Sequence, residues 1–133
     1  MATSVVVTVG RNALLDLSFA AGWYVGLVDN AGFTAYAAAD TMASHAGWTE
    51  AVLYTEATRQ LYSPAAAAAG SATNSAAKAV FTISATATIR GAFLATSAVK
   101  SGAAGTLYGV GDFVVARNVI ISNVLHVTVI VTD

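Results

Sequence analysis

Two stretches of the chain alternate apolar and polar residues with a period of two. In residues 80–94, VFTISATATIRGAFL, the side chains of Phe81, Ile83, Ala85, Ala87 and Ile89 fall on one side of an extended backbone. Thr82, Ser84, Thr86, Thr88 and Arg90 fall on the other. Residues 124–132, VLHVTVIVT, repeat the pattern: Leu125, Val127, Val129 and Val131 oppose His126, Thr128, Ile130 and Thr132. Alternation rich in β-branched types predicts strands with one buried face. The row Thr82, Ser84, Thr86 and Thr88 is flat and weakly hydrated, which suits it to lie against a neighbouring subunit.

Shorter pieces extend the β character. Residues 4–9, SVVVTV, predict a first strand closed by Gly10, and residues 12–19 alternate loosely. Residues 23–28, WYVGLV, predict another strand, with Gly26 marking a bulge or a close backbone approach. A turn follows at 29–32, and residues 48–54 and 58–62 predict short strands or extended connections. Residues 34–47, TAYAAADTMASHAG, form the one helical candidate, with Asp40 or Thr41 as cap and Gly47 placed for a left-handed C-terminal turn. In residues 63–77, SPAAAAAGSATNSAA, five alanines favour helix, but the flanking Pro, Gly, Ser and Asn favour a loop or projecting arm. After a break at 97–105, residues 106–110, 113–115 and 118–121 predict brief extended pieces. The sum is a single β-rich domain over residues 1–133, an antiparallel β-sandwich or jelly-roll-like fold with one short helix.

Composition changes what that fold must do with its surface. Charged residues make up 10% of the 133 positions and hydrophobic residues 56%, with a mean hydropathy of +0.67. Soluble domains ordinarily carry about 25% charged residues. Such a chain either enters a membrane or buries surface against other subunits. The most apolar early run, residues 13–28, is interrupted by Asp16 and falls short of the roughly 20 apolar residues a bilayer helix needs. The same Asp16, close behind Arg11, argues against a secretory leader. Six basic residues, scattered against seven acidic ones, form no cluster to displace the counterions of a nucleic acid. Assembly with other subunits is the expectation that remains.

Candidate chemistry is sparse. A hydrolase would need Ser44 as nucleophile, His45 as base and Asp40 or Glu50 behind it. Adjacent residues rarely converge, however, and no G-x-S-x-G elbow surrounds the serine. Metal binding would need His45 and His126 to meet Asp40, Glu50 or Glu56 without any recognisable ligand spacing. Gly102, Gly105, Gly109 and Gly111 lack the Gly-Lys-Ser/Thr of a phosphate loop and predict turns. The chain has no cysteine. No catalytic, cofactor-binding or metal-binding residue is expected. The aromatics Trp23, Tyr24, Trp48, Tyr54 and Tyr62 suit core pillars, oligomer contacts or a sugar-stacking platform. With Thr82, Ser84, Thr86 and Thr88 they make up the candidate interface.

Several blocks carry a resemblance. Residues 39–50, ADTMASHAGWTE, residues 105–119, GTLYGVGDFVVARNV, and the terminal VLHVTVIVTD are similar to a family of small structural proteins of tailed-bacteriophage virions. The strand VFTISATATIRGAFLAT and the aromatic-led WYVGLVD fit the same pattern. The family it resembles is that of capsid cement, or decoration, proteins. The resemblance implies a non-enzymatic protein on the outer surface of the capsid that forms a homotrimer and binds the major capsid protein. It implies no cofactor, no nucleic acid and no membrane. A neck or tail component, and a carbohydrate-binding module for host attachment, are the alternatives.

Overall fold

The computed structural model describes residues 5–20 and 22–132. The chain is mainly β, with antiparallel sheets arranged as a sandwich and a single α-helix among the described residues. After α1 (Thr8–Ser18) come β1 (Tyr24–Asp29), β2 (Glu50–Ala51), β3 (Gln60–Leu61), β4 (Ser71–Thr73) and β5 (Ala79–Thr82). Then follow β6 (Ala87–Ala95), β7 (Leu107–Val119), β8 (Val124–Val127) and β9 (Ile130–Thr132). The large sheet runs β2-β1-β6-β7, with β3 also paired to β1. Opposite it lie two antiparallel pairs, β4 with β9 and β5 with β8.

Strand β1 is central because both of its faces are apolar. Val25 and Leu27 point into the space between the layers, where they meet Phe81, Ile83, Ile89, Leu94 and Val127. Val28 points the other way, into a second core with Met42, Trp48, Phe93 and Ala95. Gly26 lets Phe93 lie flat on the strand, since a Cβ there would sit 2.1 Å from the ring. The close backbone approach expected at Gly26 is thus an approach by an aromatic ring.

The helix is not at residues 34–47, where the capping residues placed it. Residues 34–47 form turns and a Thr41–Ser44 bridge, with no helical turn. Their ends are pinned together instead, as the Thr34 amide donates to the Gly47 carbonyl at 2.8 Å. Gly47 does not serve as a left-handed cap. It is required because a Cβ would stand 2.0 Å from the Ala35 carbonyl oxygen. Conversely, of the strand expected at 4–9, residue 4 lies outside the described residues, residues 5–7 join no strand, and residues 8–9 belong with most of the alternating 12–19 to α1, which begins at Thr8. In the run RNALLDL, Arg11, Ala13, Leu14, Leu15 and Leu17 are good helix formers. Asn12 and Asp16, four residues apart, share one face under either period, so spacing alone could not separate helix from strand.

That shared face is used. The Asn12 side-chain oxygen accepts the Gly70 amide at 2.8 Å and an Asp16 oxygen accepts the Ala67 amide at 2.7 Å. The segment 63–77 is therefore tied to α1, and its residues 71–73 pair with β9 as β4. Residues 80–94 are not one strand either. They form β5 and β6 in different layers, joined by an exposed crossing at 84–86. In 124–132 the expected faces hold, but the strand is interrupted at 128–129. There the fully buried Asn74 takes over the ladder, accepting from the Val129 amide at 2.7 Å and donating to the Val127 carbonyl at 3.2 Å.

Candidate functional site

The residues that sequence chemistry singled out are held by local structural bonds. Asp40 accepts the Ala37 amide at 2.9 Å and the Trp48 indole N–H at 3.0 Å. His45 stacks on Trp48, with ring centroids 4.0 Å apart, and its Nδ1 lies 2.9 Å from the Trp48 carbonyl oxygen. Ser44 donates its amide to the Thr41 hydroxyl. The Asp40 and His45 side chains and the Ser44 amide thus brace the loop over Trp48, and none of these bonds links Ser44 to His45. His126 is exposed on β8, on a different part of the fold. Among the described residues no three His, Asp or Glu side chains converge on a metal-sized site.

Glu50 has a different partner. Both of its carboxylate oxygens accept from the Arg59 guanidinium, at 2.7 and 2.8 Å, and Arg59 donates further to the Ser97 and Gly102 carbonyls. The Arg59 side chain is 0% exposed and stacks 5.0 Å above Phe93. This pair fastens the 97–102 turn to the sheet and closes the second core. Nearby, Lys100 donates to the Tyr54 and Glu56 carbonyls and lies over the Tyr54 ring. Burial would raise the Glu56 pKa. The Thr82 amide donating to its carboxylate, together with the Lys100 charge, instead holds it below the ordinary range.

The aromatic candidates divide. Trp48, Tyr54 and Tyr62 are buried within the chain, so they act as core pillars and offer no contact surface. Burial pushes the Tyr62 hydroxyl up to about 12, and burial also raises Tyr54, whose hydroxyl is enclosed without a hydrogen-bond partner. Tyr24 and Trp23 are half-buried. Trp23 packs edge-on against Tyr108 and Phe19, with its indole N–H donated to the Ser18 carbonyl. Rings packed edge to face present no flat platform for a sugar. Of the hydroxyl row, Ser84 and Thr86 are exposed in the crossing between β5 and β6, while Thr82 and Thr88 are half-buried in separate strands. Thr88 donates to Asn118 across the β6–β7 pair. The four do not form one continuous face.

The surface that stands out is one the sequence patterns did not single out. β7 is 13 residues long and ends the large sheet, so its outer edge pairs with no described residue. Opposite Ile89 and Gly91 stand Arg117 and Asp112, which leaves residues 113–116 as a bulge across from Arg90 alone. The bulge carries Val114 and Val115, at 103% and 62% exposure. The start of the strand is held down more firmly. Arg90 pairs with Asp112 at 2.8 Å and stacks on Phe33, while Tyr36 donates to the same carboxylate. The Tyr36 hydrogen bond and the Arg90 charge hold the Asp112 carboxyl below its ordinary pKa.

Between β7 and β8 the sandwich does not close. A cleft of about 330 Å³ runs there, with Phe113, Val114 and Arg117 on one wall and Leu125, His126 and Thr128 on the other. A smaller recess continues it toward Val129 and Ile130. Phe113, Leu125 and Val129 belong to the main core yet remain half-exposed along this opening. The second concentration of exposed apolar side chains is N-terminal: Val5, Val6 and Val7 ahead of the helix, then Val9, Leu14 and Leu17 on it. Only Leu15 of α1 is buried. The available signal was the FVV run in 105–119, which is apolar on both strand faces.

Comparison with protein-family models, with curated proteins and with solved structures finds no significant match. No helix among the described residues is long and apolar enough to cross a membrane.

Proposed function

We propose that this chain is a non-enzymatic structural protein of a tailed-phage virion: a homotrimeric decoration protein on the outer capsid surface that clamps the major capsid protein. The observation that supports the reading is the unpaired edge of β7, with its exposed Val114 and Val115, beside a cleft that opens onto the core. Apolar strand edges associate with other chains unless they are covered, and charge, proline or a bulge usually protects them; here the bulge at 113–116 instead carries Val114 and Val115 out into solvent. β7 has neither proline nor lysine; its Asp112 is neutralised by Arg90, and Arg117 is its one remaining charge. Burying an exposed valine contributes about 1.5–3 kcal/mol. A few such contacts per subunit, repeated around a shell, reinforce the lattice without any covalent step. The low charge content and the resemblance of residues 39–50 and 105–119 to capsid cement proteins point the same way.

Electron microscopy of virions carrying the protein tests the reading. Density for three copies around local three-fold positions of the shell is the expected result. Density confined to the neck or tail would replace the decoration role with that of a tail component.

A further inference from the structure

Two parts of this chain need the same thing, and neither finds it among the described residues. The first is a β-branched run, Val5, Val6 and Val7, with exposures of 82%, 56% and 64%. Val7 is extended, with φ −72° and ψ 159°, and the three valines belong to no helix or ladder. β-branched residues favour extended backbone, because their restricted χ1 suits a pleated surface. A free strand leaves its amides and carbonyls to water and its methyls exposed.

The second part is the edge of β7 and the cleft beside it. The edge offers unpaired backbone donors and acceptors, and the floor is the half-exposed core rim of Phe113, Leu125 and Val129. The two parts do not meet in one subunit. The C-terminal end of α1 lies at the start of β7, where Phe19 packs on Tyr108 at 5.1 Å. From there the helix runs toward Gly70, and neither the pairings of β7 nor the lining of the cleft include Val5, Val6 or Val7.

The geometry points to strand exchange between copies: Val5, Val6 and Val7 of one subunit add as a strand to the β7 edge of the next and seat their methyls in its β7–β8 cleft. The inference rests on the assembly reading above and names the contact that builds the oligomer. The occupant is a second copy because the chain itself carries the matching piece, which is apolar, uncharged and, at Val7, already extended. Main-chain hydrogen bonds to β7 supply affinity, and the alternate side chains that point into the cleft supply register. The contact is head to tail, since donor and acceptor are different surfaces. A ring closes once the rotation returns to the first subunit. The outer face of α1, with Val9 and Leu17, would be drawn toward the same neighbour.

The absence of cysteine from the 133 residues makes the test clean. Full-length Val6→Cys protein is mixed with full-length Val115→Cys or Thr128→Cys protein and oxidised. The expected product is a reducible cross-link joining one chain of each kind, and the Val6/Val115 double variant should yield closed rings. Val6→Pro removes one ladder donor at a residue that is more than half exposed and lies beside Gly10 in its own subunit. It should weaken self-association at least tenfold and leave the melting temperature of the dilute monomer unchanged. Cross-links confined to Val6→Cys with itself, an oligomer unaffected by Val6→Pro, or a chain that stays monomeric at every concentration would overturn the inference. It fails separately from the virion reading. Particles that carry the protein without the mixed cross-link reject strand exchange alone, and rings that bind no particle reject the decoration role alone.

Discussion

The two borders of the large sheet are finished in opposite ways. Toward the 33–48 loop, the buried charged groups are answered. Glu50 meets Arg59 through two bonds, Asp40 meets the Trp48 indole, and the loop seals Phe93 and Met42 from water. Toward β7, hydrophobic side chains stand in solvent and a strand edge is left unpaired. The first border is stabilised by contacts within the subunit. The second is left without a partner among the described residues. Under the proposed assembly, monomer stability and subunit contact are separate tasks carried by separate edges.

If that division is right, substitutions on the closed border should lower monomer stability, and those on the open border should not. The largest effect is expected from Arg59→Ala. It strands the nearly buried Glu50 carboxylate and opens two carbonyls, so urea denaturation should report a loss of about 3–5 kcal/mol. Gly26→Ala comes next. Its methyl would have to displace the Phe93 ring from 2.1 Å, costing about 1–3 kcal/mol, and a second change, Phe93→Leu, should recover part of the loss. Tyr54→Phe removes a buried hydroxyl that has no partner, and should be neutral or stabilising by up to about 1 kcal/mol. Val114→Lys, on the open border, should stay within about 0.5 kcal/mol of the parent as a monomer while it impairs assembly.

Titration separates the same regions. Tyr62 ionises near pH 10 when unfolded and at about 12 when folded, so its stabilising contribution is complete below pH 10 and disappears between pH 10 and 12. Tyr62→Phe should therefore flatten the alkaline fall in melting temperature. Asp112 and Glu56 act in the opposite sense, because their folded pKa values lie below the ordinary 3.8 and 4.5. Their contributions are complete above those values and are lost as pH falls through the depressed ones. Asp112 is largely exposed, so its share is small and sensitive to salt.

The β class and both faces of 124–132 were legible because period-2 alternation reports directly which side is buried, and the central WYVGLV strand because a short, β-branched apolar run suits a strand buried on both faces. The break at 84–86 was not legible. Thr, Ser and Ala keep the alternation going straight through the crossing, and small residues suit a strand and a connection equally well. The 34–47 segment looked helical from its alanines. The competing term was tertiary: an Asp40 side chain claimed by Trp48, and a Gly47 pressed against Ala35. Tyr54, Tyr62 and Trp48 were visible as important aromatics, but composition could not tell a pillar from a contact. The open edge stayed hidden because strand order is a non-local property. FVVARNV could equally have been central in the sheet.

Amide hydrogen exchange tests the division of the two edges most directly, read across β1 and β7 in the dilute monomer and again in the assembled protein. β1 should be protected in both states. β7, slow only where it bonds to β6 in the monomer, should gain protection along residues 107–119 on assembly. Rapid exchange of those outer-edge amides in the assembled protein, with protection appearing elsewhere, would contradict the account.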